Sequence, residues 1–365
     1  MSSPNLERPR FVIVGAGVIG RLHAEVISAL SDRIELAGVV DLHQNRAAEL
    51  AAAHGGTAYG SLTEGLTSAD VVVVCTPTGR HGEIAIKALE AGKHVIVEKP
   101  AETTVARTDE IIAAQRRAGT RVAVISQHRF DPATEVAVAA IANGELGRLT
   151  SGVVSIDWWR SQTYYDSGDW RGTWELDGGG ALMNQGVHTV DLLVATMGRP
   201  VEVFAYTGTL AHERIEVEDV AVGVVRFENG ALGVLHATTA AYPGLSARLQ
   251  IHGDRGSIVI DNDELTFVHL TPRDTSAEER AYGNANTAIN QIADYAEASR
   301  TAARAAGSDP TQLALGAHRR QYENFLDALA GTADLRVDLE TNRQSIAIIS
   351  GVYESARTGR AVSLL

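Results

Sequence analysis

A glycine-rich β-α-β pattern near the start of the chain constrains its fold more than any other feature. An apolar run at residues 10–14 is followed by the sequence GAGVIG at residues 15–20, a helical pattern at residues 21–30 and a second apolar run at residues 34–40 that ends in Asp41. A strand, a G-x-G-x-x-G turn, a helix and a strand, with an acid about 20 positions beyond the last glycine, form a unit that binds dinucleotides. The alternative is a tight turn without a nucleotide, and the complete unit favours the nucleotide site.

Each glycine of this turn has a predicted task. The first allows the tight turn, the second lets the backbone approach a pyrophosphate, and the third lets helix and strand pack closely. Asp41 can accept hydrogen bonds from ribose hydroxyls and would repel a 2′-phosphate, which favours NAD over NADP. The turn residues predicted to bind the cofactor are Gly15, Gly17, Val18, Ile19 and Gly20.

The rest of the chain reads as two domains. Apolar runs at residues 71–74, 95–97 and 122–125 alternate with helical patterns, which predicts a parallel sheet covered on both faces and a Rossmann domain at residues 1–130. β-branched runs dominate after residue 149, so residues 131–365 are predicted to form an α+β domain with a large open, mainly antiparallel sheet. An open sheet leaves one face exposed unless another subunit packs on it, so a homodimer or homotetramer is predicted.

Composition excludes several classes of protein. The 365 residues carry a net charge of −13, which argues against nucleic-acid binding. The sequence contains no run of about 18 apolar residues, so no membrane span is predicted. The first residues lack the pattern of a secretory signal, so we expect a cytoplasmic protein. The single cysteine, Cys75, excludes an intramolecular disulfide, and the histidines show no ligand spacing, so no metal is predicted.

A lysine follows the apolar run at residues 95–97. The sequence there is Glu98-Lys99-Pro100, and only Lys87, Lys93 and Lys99 are lysines among the 32 Lys and Arg residues. An ammonium can release its proton, whereas a guanidinium in practice does not. Lys99 is therefore a candidate for proton handling at the carboxyl end of a strand, where open α/β sheets bind ligands. The alternative is a Glu–Lys pair without chemistry.

Two patterns in the second half suggest a substrate site. All four tryptophans lie within residues 158–174, together with tyrosines and arginines, a composition that suits a sugar or cyclitol pocket or, alternatively, an aromatic interface. A predicted helix at residues 181–197 places Asn184 and His188 at i and i+4, with Asp191 one turn beyond. A histidine there can exchange protons near neutral pH; the alternative is a structural histidine bonded to Asp191.

Taken together, these motifs resemble the glucose–fructose oxidoreductase/inositol dehydrogenase (Gfo/Idh/MocA) family. The matching pieces are GAGVIG at residues 15–20, CTPT at residues 75–78 with His81, EKP at residues 98–100, and GGG at residues 178–180 leading to the helix histidine. The resemblance implies NAD(P)-dependent oxidation of a secondary alcohol on a sugar, sugar derivative or cyclitol. It further implies a Rossmann domain and an α/β domain whose open sheet serves in oligomerisation.

The resemblance also assigns site residues. Family members use the EKP lysine and the helix histidine near the reacting hydroxyl, so Lys99 and His188 are the predicted catalytic residues, and Asn184 stands where many members carry Asp. Further cofactor contacts are predicted at Thr76, Pro77, Thr78, His81, Glu98, Lys99 and Gln127. The predicted substrate wall consists of Lys99, Arg129, Trp158, Arg160, Tyr164, Arg171, Asn184 and His188. The alternatives are a dihydrodiol- or imine-type reductase on this scaffold and an inactive NAD-binding sensor.

Overall fold

The computed structural model describes residues 7–272, 274–276, 289–295 and 310–365. Contacts divide the chain into two compact units. The first unit comprises residues up to 127, 173–178 and 314–346, and the second comprises residues 128–172, 179–313 and 347–365. In the part of the chain that is described, no helix is both long and apolar enough to cross a membrane.

The first unit is built on alternating strands and helices. They are β1 (Arg10–Val14), α1 (Val18–Ala29), β2 (Glu35–Val40), α2 (Gln44–His54), β3 (Thr57–Tyr59), α3 (Leu62–Ser68), β4 (Val71–Val74), α4 (His81–Glu90), β5 (His94–Val97), α5 (Val105–Ala118) and β6 (Val122–Val124). The strands form one parallel sheet in the order β3-β2-β1-β4-β5-β6. All four valines of β4 are buried, as expected for a strand covered on both faces.

The second unit is built on a larger sheet. Its elements are α6 (Pro132–Ala142), β7 (Leu149–Asp157), α7 (Gln162–Tyr165), a π-helical turn (Ala181–Gly186), α8 (Val187–Met197), β8 (Pro200–Gly208), β9 (Val220–Phe227), β10 (Leu232–Thr238), β11 (Ala247–Gly253), β12 (Gly256–Asp261) and β13 (Glu264–Leu270). Two further helices precede the short β14 (Val362–Ser363) of this unit. Most of α9 (Pro310–Ala330) belongs to the first unit, and α10 (Leu339–Thr358) begins in the first unit and ends in the second.

The eight strands of this sheet run in the order β13-β12-β11-β7-β10-β9-β8-β14. Neighbours are antiparallel except β7 and β10, which pair in parallel. Burial alternates along β9, because one face of the sheet packs on the core of the unit while the other is exposed. The predicted fold class, a Rossmann domain followed by a mainly antiparallel open sheet, is confirmed.

Some local predictions were wrong. The helix predicted over residues 181–197 begins as the π-helical turn Ala181–Gly186, so a regular α-helical face exists only from Val187 onward. The strand Glu264–Leu270 was not predicted. Most of residues 271–310, predicted as a surface excursion with one or two helices, lies outside the described residues; within it a short 3-10 helix spans Ile292–Tyr295.

Candidate active site

The glycine turn after β1 has the close approaches that only glycine permits. Gly15 has φ of 105°, and a Cβ there would lie 2.5 Å from the carbonyl oxygen of Cys75. At Gly20 a Cβ would lie 2.0 Å from the carbonyl oxygen of Gly15. A Cβ at Gly17 would meet nothing within 4 Å, so the space over the start of α1 is open. The N–H groups of the first helical turn face that space without a side-chain cap, which suits a pyrophosphate.

Asp41 is held rigidly at the carboxyl end of β2. Its Oδ2 accepts a hydrogen bond of 2.7 Å from the Ala16 N–H, and its Oδ1 accepts one of 2.7 Å from the His43 N–H. Leu42, the next residue, has a fully exposed apolar side chain. An exposed leucine beside a fixed carboxylate suits the adenosine end of a dinucleotide, because the leucine can pack on the base and the carboxylate can bind the ribose.

Two buried oxygen atoms close to the sheet edge have no hydrogen-bond partner within the described residues. They are Oγ1 of Thr76, after β4, and Oε1 of Gln127, after β6. Burying a polar atom without a partner costs about 1–3 kcal/mol, so such atoms usually mark a bound group or a functional site. Both residues were predicted to bind the cofactor. The turn, the carboxylate and these oxygens together fit NAD.

Glu98 is buried immediately before Lys99. Its Oε2 accepts from the Lys99 N–H at 3.0 Å, and its Oε1 lies 2.9 Å from Nε2 of His23 and 3.7 Å from Nε2 of His318. Burial favours the neutral acid, but the hydrogen bond from His23 and the nearby ring of His318 hold the pKa of Glu98 well below its usual range. Glu98 therefore carries a buried negative charge that anchors the turn holding the partly buried Lys99.

Tyr322 fixes the tautomer of His23 in this network. Its hydroxyl lies 2.7 Å from Nδ1 of His23, and burial raises the pKa of Tyr322 well above its usual range. Burial lowers the pKa of His23, which keeps the ring neutral. The hydroxyl then donates to Nδ1, and Nε2–H donates to Glu98. The sequence did not reveal this network, because His23 and Tyr322 lie 299 residues apart.

His81 connects the two turns that flank the predicted nicotinamide position. Its Nδ1 lies 2.8 Å from the carbonyl oxygen of Pro100, and its Nε2 lies 2.8 Å from that of Thr76. Burial lowers the pKa of His81, and a neutral ring donates to one of these two carbonyl groups. The ring is 1 % exposed, so His81 shapes the turns from beneath.

In the second unit, Glu218 binds the start of the segment that carries His188. Its carboxylate accepts from the N–H groups of Gly180 at 2.9 Å and Leu182 at 2.8 Å and from the Tyr353 hydroxyl at 3.1 Å. Burial raises the pKa of Glu218 to about 7 against these bonds. A Cβ at Gly180 would lie 1.7 Å from the backbone carbonyl oxygen of Glu218, so the glycine lets the backbone of Glu218 approach this segment closely.

The ring of His188 packs edge-on against His128, with centroids 5.0 Å apart and planes at 81°. Nδ1 of His128 lies 2.9 Å from carboxylate oxygens of both Asp131 and Asp263. Burial opposes a charge on His128, but Asp263 and Asp131 raise its pKa to about 10. A charged, doubly anchored ring therefore supports His188. Sequence reasoning missed it, because Asp263 sits in the turn before the unpredicted strand β13.

Arg129 and Asp191 form a buried ion pair. Nε of Arg129 donates to one carboxylate oxygen at 2.6 Å, and Nη2 donates to the other at 2.7 Å. The sequence suggested Arg129 for the substrate wall and Asp191 as a partner of His188. The structure brings these two residues together, and Arg129 is 8 % exposed. The assignment of Arg129 to the substrate wall stays a prediction.

An aromatic and arginine cluster follows β7. The Arg160 guanidinium carbon lies 5.0 Å from the Trp158 ring and 5.5 Å from the Tyr164 ring. The Arg171 guanidinium carbon lies 4.3 Å from the same tyrosine ring. The buried Gln185 links the cluster, since its Oε1 accepts from Arg160 at 3.0 Å and its Nε2 donates to the Tyr164 hydroxyl at 3.2 Å. This Nε2 also donates, at 2.7 Å, to the side-chain oxygen of Asn184. Five predicted substrate residues therefore lie in one cluster: Trp158, Arg160, Tyr164, Arg171 and Asn184.

Two groups of side chains have ligand atoms that lie within 4.8 Å of one another, a spacing that could hold a cation. They are His23 with Glu98 and His318, and His128 with Asp131 and Asp263. In each group, however, a ring nitrogen already lies at hydrogen-bond distance from a carboxylate oxygen. The expectation that the protein binds no metal remains a prediction.

Comparison with known families identifies the scaffold. The family model for the NAD-binding Rossmann fold of the Gfo/Idh/MocA oxidoreductases matches residues 9–126, and the model for the Gfo/Idh/MocA C-terminal domain matches residues 135–259. The chain belongs to this family. It is therefore an oxidoreductase with an NAD-binding Rossmann domain, which confirms the resemblance, the cofactor class and the enzyme class inferred from the sequence.

Individual relatives act on, or were crystallised with, sugar-like molecules. The chain is similar to a myo-inositol 2-dehydrogenase from Thermotoga maritima, at 32 % identity over 72 % of this chain and 79 % of the relative. It is also similar to a D-glucoside 3-dehydrogenase from Escherichia coli, at 27 % identity over 97 % of both chains. Among solved structures it is similar to the WlbA dehydrogenase from Bordetella pertussis in complex with NADH and UDP-GlcNAcA, at 31 % identity, with a TM-score of 0.87 over 100 % of this chain and 99 % of that chain.

Proposed function

We propose that the protein is an NAD-dependent dehydrogenase that oxidises a secondary alcohol on a sugar or sugar derivative. The observation that carries this proposal is the turn Glu98-Lys99-Pro100 at the carboxyl end of β5. It lies in the same parallel sheet as the glycine turn and is anchored from within by the charged Glu98. A sensor that only binds NAD has no need of such an anchored lysine.

In this proposal, bound NAD supplies the hydride acceptor. The protein supplies the proton handling: His188 takes the proton of the substrate hydroxyl while the carbon loses hydride, and Lys99 orients that hydroxyl and shares its proton. Asp41 binds the adenosine ribose, and the oxygens of Thr76 and Gln127 bind polar groups of the cofactor. Asn184 has no acid–base chemistry, so its role is a hydrogen bond to a substrate hydroxyl.

The substrate we favour is a sugar nucleotide, or a sugar carrying an acidic group. WlbA from Bordetella pertussis is similar over the whole chain, and its crystal holds UDP-GlcNAcA, which carries both a carboxylate and a diphosphate. The cluster of Trp158, Arg160, Tyr164 and Arg171 offers aromatic faces for a ring and cations for such groups. A reductase of a non-sugar substrate would use the same fold, but the relatives that act on or bind sugars favour a sugar dehydrogenase.

Replacing Lys99 by Ala tests the assignment. Each acid–base partner typically contributes about 10²–10⁴-fold in rate, so the variant should lose turnover by about that factor. NAD should still bind, because the glycine turn and Asp41 are unchanged. The measurements are NADH formation with UDP-sugars, uronic acids and polyols, and NADH affinity by calorimetry.

The matched control is Lys87→Ala. This lysine is exposed on α4, where it pairs with Glu83 at 2.6 Å, and should leave turnover unchanged. Normal turnover by Lys99→Ala would refute the proposed mechanism. The absence of NADH formation by the wild type with every substrate class, alongside firm NADH binding, would favour a sensor.

We further propose that a second copy of the chain covers the open sheet. Its outer face exposes a patch of apolar side chains on neighbouring strands, formed by Tyr206, Val222, Val224, Leu232 and Val234. Val224 lies opposite Val234 in the β9–β10 pairing, so the patch is continuous across strands. Monomers seldom expose such a patch. Val224→Glu with Val234→Lys should give a monomer in sedimentation experiments, whereas an unchanged oligomer would refute this interface.

A further inference from the structure

Arg160 and Arg171 differ from the buried Arg129 in the partners of their guanidinium groups. Arg160 donates to two neutral acceptors, the Trp159 carbonyl oxygen at 3.2 Å and Oε1 of Gln185 at 3.0 Å. Arg171 donates to the Tyr164 hydroxyl at 2.8 Å. Neither forms an ion pair with a carboxylate in the part of the chain that the structure describes.

Both cations are gathered around one aromatic ring. The guanidinium carbon of Arg171 lies 4.3 Å and that of Arg160 lies 5.5 Å from the centroid of Tyr164. Trp170 and Trp158 flank them, at 4.4 and 5.0 Å. Two like charges that are partly withdrawn from water repel each other, and cation–π contacts return only about 0.5–2 kcal/mol each. An arriving anion would balance this charge.

Gln185 holds the arrangement in place. The residue is 8 % exposed, and its amide bonds to Arg160, to the Tyr164 hydroxyl and to Asn184 at the same time. The two guanidinium groups therefore have fixed positions before a ligand binds. A guanidinium presents paired N–H donors that match the two oxygens of a carboxylate or phosphate. The chain has a net charge of −13, so two adjacent arginines make a local region of positive charge on a negatively charged protein. Such a region favours the binding of anions.

We propose that Arg160 and Arg171 form an anion subsite that binds a carboxylate or phosphate group of the substrate. The inference deepens the proposed function, since it names the feature that separates the preferred substrate from a neutral polyol. It predicts that acidic sugars and sugar nucleotides bind better than the corresponding neutral sugars. Gln185 is a positioning residue in this subsite, because it acts through Arg160 and Tyr164.

The test measures binding to the NADH-loaded protein by calorimetry with four ligands: glucose, glucuronate, UDP-glucose and UDP-glucuronate. Arg171→Gln and Arg160→Gln should each weaken the anionic ligands by about 10- to 100-fold and change glucose binding little, because a charge-assisted hydrogen bond contributes about 1.5–3 kcal/mol. The matched control is Arg214→Gln, since Arg214 is exposed and already pairs with Asp166 at 2.9 Å.

The pattern of losses identifies the group that binds. A loss shared by glucuronate and UDP-glucuronate but absent for UDP-glucose assigns the subsite to the carboxylate, and a loss confined to the UDP compounds assigns it to the diphosphate. Equal losses for glucose and the anionic ligands, no loss at all, or no binding of any anionic ligand by the wild type would overturn the proposal. Charge-dependent binding without any reduction of NAD would refute the proposed function while leaving the subsite intact.

Discussion

Replacing Glu98 by Gln tests the buried network that anchors the lysine turn. The carboxylate accepts hydrogen bonds from the Lys99 N–H at 3.0 Å and from Nε2–H of His23 at 2.9 Å. A glutamine keeps one acceptor oxygen and presents an NH₂ group in place of the other, so one of these donors loses its partner. A buried unpaired donor costs about 1–3 kcal/mol, which lowers the melting temperature by about 2–4 °C for each kcal/mol.

The contributions of His23 and Glu98 to the pH dependence of stability have a defined sign. The pKa of His23 is lowered on folding, so below its usual value of 6.5 the unfolded chain binds a proton that the folded chain does not. The pKa of Glu98 is also lowered, so its contribution is present above its usual value of 4.5 and is lost as the pH falls through the folded pKa. Both groups therefore destabilise the fold in acid, by up to about 1.4 kcal/mol per pH unit and group.

Scanning calorimetry from pH 8 to pH 2 measures both effects as differences between the variant and the wild type. Glu98→Gln should be less stable than the wild type at pH 7 and should lose less stability below pH 4.5, because the titrating carboxylate is gone. Glu83→Gln is the control: Glu83 is exposed, and its substitution should change stability by no more than about 0.5 kcal/mol. Equal stability of Glu98→Gln and the wild type at pH 7 would refute the network described here. The wild-type slope between pH 6.5 and 5 does not test the network, because Glu218, whose pKa burial raises to about 7, gains a proton on folding and stabilises the protein in the same window.

Three further substitutions follow from single contacts. Gly180→Ala should lower both the melting temperature and turnover, because the new Cβ would lie 1.7 Å from the Glu218 carbonyl oxygen and displace the segment that carries His188; unchanged values of both would contradict this. Asp41→Ala should raise the KM for NAD. The ratio of kcat/KM with NAD to kcat/KM with NADP should fall by about tenfold. Arg129→Met should cost about 3–5 kcal/mol in calorimetric unfolding, because it leaves the Asp191 carboxylate buried without its cation; a loss below about 1 kcal/mol would contradict this.

The sequence was most informative where backbone geometry dictates the residue. The glycines of the first turn were interpretable because a Cβ at Gly15 or Gly20 would overlap a carbonyl oxygen. The apolar strands of the first sheet were interpretable because both of their faces are buried. Lys99 was recognisable because a proline ends its strand and because lysines are scarce in this chain.

Contacts between distant residues were not predictable in the same way. Neither His23 nor Tyr322 carries a local signal of their hydrogen bond, which depends on how α9 packs against α1. The support of His188 by His128 likewise depends on Asp263, whose turn precedes the unpredicted strand β13. Asn184 and His188 were expected on one regular helical face, but the π-helical turn alters the spacing, and single-sequence periodicity does not show it.

The transfer of deuterium from substrate to cofactor tests the central claim most directly. UDP-glucuronate and free sugars labelled at their ring carbinol carbons are incubated with NAD and the protein, and the cofactor is analysed by mass spectrometry. We expect the reduced cofactor formed by the wild type to carry one deuterium, and transfer by Lys99→Ala to fall by about 10²-fold or more. Reduced cofactor without deuterium, or equal transfer by Lys99→Ala, would contradict the proposal that this chain oxidises a sugar alcohol with the help of Lys99.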